Sequence, residues 1–202
     1  MTILVANYGM GNVGSIANMI RKVGGEAVVT GDANAVAAAG KLVLPGVGAF
    51  DQGMRAVAER GLMEPLREAA ARGVPVLGIC LGMQLMMECS EEGRLPGLGL
   101  VPGDVRRFPT GDRLPRVPHM GWNRIAVKKA CPLFDGDDDD RRYYFVHSYY
   151  VSCGDPGDVV ATTVHGREFV SAFQRGNLFG VQFHPEKSHR FGMALFRRFL
   201  AI

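Results

Sequence analysis

Several features that mark common protein classes are missing from this sequence of 202 residues. No apolar run reaches the roughly 18 to 20 residues that a membrane-spanning helix needs. The four cysteines contain no C-x-x-C pair, and the chain enters a strand pattern at once rather than through a signal-like segment. We therefore expect a reducing, cytoplasmic location. The 23 basic and 20 acidic residues nearly cancel and form no basic, aromatic cluster, so neither a nucleic acid nor a membrane is predicted as a partner.

What is present is an alternation of apolar strands and helical segments. Strands that are predicted before the middle of the chain comprise Thr2 to Asn7, Glu26 to Thr30, Lys41 to Leu44 and the run that starts at Val74. This alternation favours βαβ units and a mostly parallel sheet. After Glu91 the pattern changes to loops and short strands, which include Leu100 to Phe108, Ile125 to Lys128, Tyr143 to Ser152 and Val159 to His165. A strand at Leu178 to Phe183 and a helix from about Arg190 to Leu200 follow. The sequence predicts an α/β fold in a single domain, residues 1–202.

The stretch V-P-V-L-G-I-C-L-G-M-Q at residues 74–84 combines an apolar run with two glycines placed symmetrically around Cys80. Gly78 and Gly82 each lie two residues from Cys80, a spacing typical of a sharp strand-to-helix turn with a strained central residue. Leu81 to Glu88 have helical composition, so Cys80 is predicted at a helix N-terminus, where a thiolate is favoured over a thiol. A core cysteine between two apolar runs would explain the same residues, and this stretch alone does not separate the two interpretations.

A base for such a cysteine is offered by His184-Pro185-Glu186, which follows an apolar strand as Cys80 does. Residues two apart in extended structure share a face, so His184 and Glu186 are predicted to project together. A nucleophile needs a base, and the base needs a group that holds its orientation. We therefore predict a catalytic triad of Cys80, His184 and Glu186. No carboxylate stands at the same spacing beside the remaining histidines, which are His119, His147, His165 and His189.

An oxyanion site should accompany a triad of this kind, because a tetrahedral intermediate carries negative charge on oxygen. The backbone N–H of Leu81 is placed beside Cys80 by the turn itself. A second donor is predicted from Val47 and Gly48 in P-G-V-G, residues 45–48, which also leaves an apolar strand. The alternative is that P-G-V-G is simply a turn.

Two further patterns in the sequence resemble binding sites. Gly9 to Gly14 spells G-x-G-x-x-G between a strand and a helix, with Asp32 at the distance of a ribose-binding acid. A chain of this length has little room for a dinucleotide site as well as the cysteine site, so we favour a tight turn and expect no cofactor. The acidic run Asp137 to Asp140 favours a solvated loop, because Arg141 and Arg142 follow directly and consecutive side chains cannot converge on one ion. We expect no metal.

Taken together, these residues resemble class I glutamine amidotransferases, whose signature is G-I-C-L-G-M-Q with a distant H-P-E. Further motifs are Y-G-M-G-N at 8–12, P-G-V-G-A-F at 45–50, P-H-M-G-W-N at 118–123, Y-F-V-H-S-Y-Y at 144–150 and H-P-E-K-S at 184–188. They are similar to those of the family branch that serves as glutaminase subunits of imidazole glycerol phosphate synthases. The resemblance implies a flavodoxin-like, mostly parallel sheet flanked by helices, with additional antiparallel strands in the second half.

The resemblance also implies roles for individual residues and a partner. Gln84, Ser148 and Tyr149 match positions that hold the amino-acid end of L-glutamine. The positions that match the interface around an ammonia passage are Asn12, Met120, Trp122, Tyr144 and Lys187. The implied reaction hydrolyses glutamine through a thioester on Cys80. The implied partner is a (β/α)8-barrel cyclase subunit that uses the ammonia to make imidazole glycerol phosphate and an aminoimidazole carboxamide nucleotide in histidine biosynthesis.

Alternatives remain at this point. Within the family, the chain could be a glutaminase for another synthase, such as anthranilate or pyridoxal phosphate synthase, although the stretches at 118–123 and 144–150 favour the imidazole glycerol phosphate system. Outside it, a free-standing hydrolase with a cysteine at a sharp turn is disfavoured by the complete H-P-E element and Gln84. A non-catalytic binding subunit is disfavoured by the joint presence of Cys80, His184 and Glu186.

Overall fold

The computed structural model describes residues 2–134 and 140–202. The strands are β1 (Thr2–Ala6), β2 (Glu26–Thr30), β3 (Leu42–Leu44), β4 (Val76–Ile79), β5 (Cys89–Ser90), β6 (Gly103–Arg107), β7 (His119–Arg124), β8 (Ala126–Val127), β9 (Arg142–His147), β10 (Tyr149–Cys153), β11 (Val159–His165), β12 (Arg167–Arg175) and β13 (Leu178–Val181). The helices are α1 (Val13–Lys22), α2 (Ala33–Ala37), α3 (Phe50–Glu59), α4 (Met63–Ala71), α5 (Leu81–Leu85) and α6 (His189–Ala201). Within the described ranges, no helix combines the length and apolar character that crossing a membrane requires.

The main sheet has the strand order β2-β1-β3-β4-β13-β12-β10-β6-β5. The first five of these strands pair in parallel, and β12, β10 and β6 continue the sheet in antiparallel fashion. The predicted fold class, a mostly parallel sheet with antiparallel strands added in the second half, is confirmed. The strands β1, β3, β4 and β13 are consecutive neighbours, so the segments that leave their carboxyl ends emerge side by side.

The parallel strands are buried on both faces. In β1, Ile3 and Val5 belong to the hydrophobic cluster that includes α1 and α6, whereas Leu4 and Ala6 belong to the cluster that includes α3 and α4. Successive side chains of a strand point to opposite faces. A strand between two helical layers therefore needs a nearly continuous apolar run, which is why these strands are readable in the sequence.

The second half differs from the sequence-based expectation in its details. The strand predicted from Tyr143 to Ser152 is two strands, β9 and β10, because the chain breaks at Ser148 and the two parts pair with different neighbours. The nine-residue strand β12 was not predicted. The helix expected from Leu81 to Glu88 ends at Leu85, since the carbonyl of Met86 accepts from the N–H groups of Leu100 and Val101 instead of continuing the helix.

A separate two-stranded sheet, β7 with β9, packs beside the carboxyl ends of the parallel strands. Its link to the main sheet is a bridge in which the His184 N–H donates to the Tyr144 carbonyl at 2.9 Å. Of the acidic run, residues 137–139 lie outside the described residues. Asp140 is described, and its carboxylate pairs with Arg142 at 2.5 Å and Arg124 at 2.9 Å.

Candidate active site

Cys80 occupies the sharp turn that its two flanking glycines predict. It has φ 53° and ψ −110°, a left-handed conformation that is strained for any residue with a Cβ. A Cβ on Gly78 would lie 2.8 Å from the backbone nitrogen of Met83, and one on Gly82 would overlap the carbonyl oxygen of Leu44. Neither position has room for a larger residue. The predicted reason for the glycines, close approach of neighbouring backbone, is confirmed.

His184 and Glu186 form a buried hydrogen-bonded pair. The distance from Nδ1 of His184 to Oε1 of Glu186 is 2.9 Å, and their side chains are 2% and 1% exposed. The sequence predicted this contact within an extended segment. Instead, Pro185–Lys187 forms a 3-10 turn that brings Glu186 back to the His184 ring. A carboxylate only accepts hydrogen bonds, so Nδ1 carries a proton and Nε2 is directed away from Glu186.

The other ring nitrogen of His184 faces Cys80. Nε2 is buried and makes no hydrogen bond within normal geometry among the described residues. Burial lowers the pKa of His184, but Cys80 and Glu186 raise it more strongly, to about 10. The arrangement therefore favours an imidazolium at His184, a ring that holds a proton to donate beside the Cys80 sulfur.

A cavity of about 340 Å³ opens at this sheet edge, a volume typical of small-molecule sites. All of the residues predicted for the oxyanion site and for substrate binding line it together with the cysteine and histidine: Val47, Gly48, Cys80, Leu81, Gln84, Ser148, Tyr149 and His184. The order of the strands explains most of this convergence, because β3, β4 and β13 are adjacent and deliver the segments with Val47, Cys80 and His184. Ser148 and Tyr149 come from the junction of β9 and β10.

Gln84 is held by the protein through its amide nitrogen. Nε2 donates to the Tyr149 carbonyl at 3.1 Å and to Oε1 of Gln182 at 3.0 Å, and Nε2 of Gln182 lies 3.8 Å from the Cys80 sulfur. Oε1 of Gln84 makes no hydrogen bond among the described residues and remains available at the cavity. The sequence analysis missed Gln182, and its signal was a polar residue inside the apolar strand before His184.

Glu92 is a second residue that the sequence analysis missed. It lines the cavity, and its Oε2 accepts from the N–H of Phe50 at 2.9 Å at the start of α3. Burial raises the pKa of its carboxyl group. A carboxylate at this place supplies the cavity with a partner for a cation. No local pattern distinguishes it from neighbouring acids such as Glu91.

The histidines that were not assigned to the triad form a pair of their own. Nδ1 of His147 lies 2.7 Å from the Tyr149 carbonyl, which can only accept, so that nitrogen carries the proton. Nε2 of His147 therefore accepts from Nδ1 of His119 at 3.0 Å, and Nε2 of His119 accepts from Nδ2 of Asn123 at 3.1 Å. Both histidines are consequently neutral. Burial is the main cause that lowers the pKa of His119 to about 4 and that of His147 to about 3.

The residues matched to a partner interface lie on the surface beside the site. Met120 and Trp122 are 62% and 47% exposed, on the face of β7 opposite His119. Trp122 stacks on His189 at a centroid distance of 5.5 Å, and Nζ of Lys187 lies 5.6 Å from the ring centroid of Tyr144. Asn12 is exposed at the start of α1, where its side chain makes no capping hydrogen bond.

A cysteine forced into a left-handed turn after the buried parallel strand β4, next to a buried imidazole and carboxylate, places the molecule among α/β enzymes built around a nucleophilic cysteine. Residues 4–202 match the family described as glutamine amidotransferase class-I. The chain belongs to this family.

Curated relatives are similar along nearly their whole length. Imidazole glycerol phosphate synthase subunit HisH of Symbiobacterium thermophilum is 50% identical over 194 residues, which cover 96% of this chain and 90% of that protein. Subunit HisH 2 of Methanococcus maripaludis is 47% identical over 199 residues, 98% of both chains. Among solved structures, PurLQS from Thermotoga maritima has a TM-score of 0.76 at 22% identity and covers 99% of this chain and 97% of its own. That likeness concerns the fold.

Proposed function

We infer that this chain is the glutaminase subunit of an imidazole glycerol phosphate synthase and acts in histidine biosynthesis, with residues 1–202 as one amidotransferase domain in the cytoplasm. The observation that carries the inference is the strained Cys80 beside the buried His184–Glu186 pair. The 44 to 50% identity to HisH subunits over almost the whole chain supports the particular synthase. These relatives favour an imidazole glycerol phosphate synthase over an anthranilate or pyridoxal phosphate synthase.

The chemistry follows from the protonation states of the site. The Cys80 thiolate attacks the side-chain amide carbon of glutamine, and the tetrahedral intermediate collapses as Nε2 of His184 gives its proton to the departing nitrogen. Ammonia leaves and a γ-glutamyl thioester remains. His184, now neutral at Nε2, takes a proton from water as the water attacks the thioester, and the second collapse returns the thiolate with glutamate. The sum is glutamine plus water to glutamate plus ammonia.

Negative charge on the substrate oxygen is stabilised at both tetrahedral stages. The Leu81 N–H at the start of α5 is one donor, and the Val47–Gly48 peptide supplies the other. Gly48 has φ +114°, which allows the loop a backbone orientation that other residues rarely adopt. Removing one donor of such a site in other enzymes costs about 10²- to 10³-fold in kcat.

Glutamine is oriented by polar groups at the opposite end of the cavity. The Glu92 carboxylate is suited to the α-ammonium group, and Oε1 of Gln84 is a further acceptor. Backbone groups at Ser148 and Tyr149 complete the site for the amino-acid end. The carbonyl of Ser148 accepts from the Phe108 N–H, and that of Tyr149 is engaged by the side chains of Gln84 and His147, so these contacts fix the two residues at the wall of the cavity.

The ammonia passes to a (β/α)8-barrel cyclase subunit bound at the surface that carries Met120, Trp122, Tyr144, Lys187 and Asn12. Exposed methionine and tryptophan side chains are typical of interface cores rather than of free surface. Tyr144 belongs to this surface and its carbonyl accepts from the His184 N–H, which supports a short path from the cysteine to the partner.

The experiment is to assemble the chain with its cyclase partner and measure glutamate release and imidazole glycerol phosphate formation. Cys80→Ser is expected to lower glutamate release by about 10³-fold or more, because a serine hydroxyl is a far weaker nucleophile here. Product formation from added ammonium salt should be unchanged in that complex. Cys89→Ser, at an exposed cysteine, is the matched control. Glutamate release that survives Cys80→Ser would contradict the assignment.

A further inference from the structure

The glycine-rich turn after β1 packs directly on the loop after β3. The two strands are paired neighbours, with Leu4 opposite Leu42 and Val5 opposite Val43, so the segments that follow them meet at the same sheet edge. The turn is residues 8–12, and the loop is residues 45–48 of the proposed oxyanion site. The sequence pattern of the turn resembled a phosphate-binding motif, and in the structure its side chains contact the loop instead.

Three contacts join the turn and the loop. The Tyr8 hydroxyl donates to the Pro45 carbonyl at 2.5 Å. A Cβ on Gly11 would lie 3.1 Å from Cβ of Pro45, so the backbone of the turn lies against the proline ring. A Cβ on Gly48 would lie 2.6 Å from Cε of Met10, which shows that the Met10 side chain covers that glycine.

The loop is enclosed on its other side by the cysteine turn. A Cβ on Gly46 would lie 2.6 Å from the Tyr8 hydroxyl, 2.8 Å from the backbone nitrogen of Gly82 and 2.8 Å from Cβ of Leu81. The loop therefore runs between Tyr8 and the segment that follows Cys80, with no free space for displacement toward either. Its position relative to Cys80 depends on what holds it from the Tyr8 side.

The Tyr8 hydroxyl is suited to hold the loop. The residue is 2% exposed, and burial, with a contribution from Cys80, raises the pKa of its hydroxyl. The group thus remains protonated and donates at any working pH. The carbonyl it engages belongs to the peptide that leads into Gly46 and Val47, so a change at this bond moves the backbone that supplies the second oxyanion donor.

We propose that Tyr8 is a positioning residue for the glutaminase reaction: through the Pro45 carbonyl it fixes the Val47–Gly48 peptide relative to Cys80. This role rests on the proposed function of the site. Met10 supports the same loop by packing on Gly48, so the turn acts as one side of the oxyanion site without touching substrate. A misplaced donor weakens binding of the tetrahedral intermediate more than binding of glutamine itself, and the effect belongs in kcat.

The test is Tyr8→Phe in the complex with the cyclase. We expect kcat for glutamine hydrolysis to fall by about 10-fold, with KM changed less than about twofold, since the lost contact acts on the transition state. Alkylation of Cys80 by iodoacetamide should proceed at the wild-type rate, because attack at a saturated carbon develops no oxyanion. Tyr150→Phe removes the hydroxyl of another buried tyrosine and is the matched control, with kcat expected to stay near wild type.

The outcomes separate the possibilities. Wild-type kcat in the Tyr8→Phe complex overturns the positioning role. A joint decline of hydrolysis, alkylation and thermal stability overturns it as well. If Tyr8→Phe does not fold, Met10→Ala at the half-buried middle of the turn takes its place, with a fall in kcat of about threefold expected. Wild-type kcat in that variant overturns the proposal equally. A wild-type complex that releases no glutamate would contradict the proposed function itself, which distinguishes the two failures.

Discussion

His184 and the His119–His147 pair border the same cavity. Their surroundings shift their pKa values in opposite directions. The pKa of His184 is raised to about 10, whereas the pKa of His119 is lowered to about 4 and that of His147 to about 3. All three rings are almost completely shielded from solvent. Burial alone disfavours the charged form of a histidine. The comparison therefore isolates the effect of the neighbours.

The neighbours differ in charge. His184 lies between the Glu186 carboxylate and the Cys80 sulfur, both of which stabilise an imidazolium. His119 and His147 are bonded to each other and to neutral groups, a carbonyl and a side-chain amide. One environment keeps a histidine charged at neutral pH, with a proton to donate, and the other keeps two histidines neutral as fixed hydrogen-bonding groups. Buried histidines are thus distinguished by the charge of their partners rather than by depth.

Glu186→Gln gives the largest expected change, because it removes the charge that sets the two groups apart. A glutamine amide can donate to Nδ1, which would place the proton on Nε2 and leave no base facing Cys80. We expect kcat for glutamine hydrolysis to fall by about 10⁴-fold, as when the orienting carboxylate of another triad is neutralised. The pKa of His184 should also fall, which an NMR titration measures.

The matched control for that change is Glu91→Gln, which alters a carboxylate that accepts from the Arg107 N–H away from the cavity. Its kcat should remain near wild type. If Glu186→Gln retained wild-type kcat and the high pKa of His184, the comparison between the two histidine groups would lose its electrostatic basis.

An intermediate effect is expected in the acid stability of the protein. Because the folded-state pKa values of His119 and His147 lie below the unfolded value of about 6.5, the unfolded state binds protons first as the pH falls. Stability should decline from about pH 6.5 down to about pH 4 for His119 and about pH 3 for His147. Each histidine can contribute at most about 1.4 kcal/mol per pH unit within its window.

Urea unfolding at pH 7 and pH 5 measures this contribution. In His119→Asn the loss of unfolding free energy between the two pH values should shrink by on the order of 1 kcal/mol, because one depressed group is gone. An equal loss in wild type and variant would show that His119 titrates normally in the folded protein.

The smallest effect is expected for the same His119→Asn substitution in catalysis at neutral pH. His119 carries no proton to or from Cys80, and asparagine retains a hydrogen-bonding side chain on β7. Hydrolysis of glutamine by the complex should therefore change by less than about threefold in kcat. A loss comparable to that of Glu186→Gln would place the neutral pair in the proton-transfer path and remove the distinction drawn here.

The site residues that could be read from the sequence are those determined by local backbone constraints. Gly78 and Gly82 identify Cys80, because no residue with a Cβ fits the turn on either side of it. His184 and Glu186 are two residues apart, so a short segment brings them together whatever the rest of the fold does. The place of Val47 and Gly48 at the cavity was likewise indicated by glycines directly after an apolar strand.

The remaining contacts were decided by the tertiary structure. Gln84 meets Gln182 across 98 positions of sequence, and Tyr8 meets Pro45 across 37, because the order β1-β3-β4-β13 makes neighbours of segments that are distant in the chain. The His119–His147 pair depends on the register of β7 with β9, which no local pattern specifies. Short-range geometry limits what a few residues can do, whereas strand order and register determine which groups meet. The sequence by itself therefore predicted which groups react, and only the fold determined which groups contact them and set their pKa values.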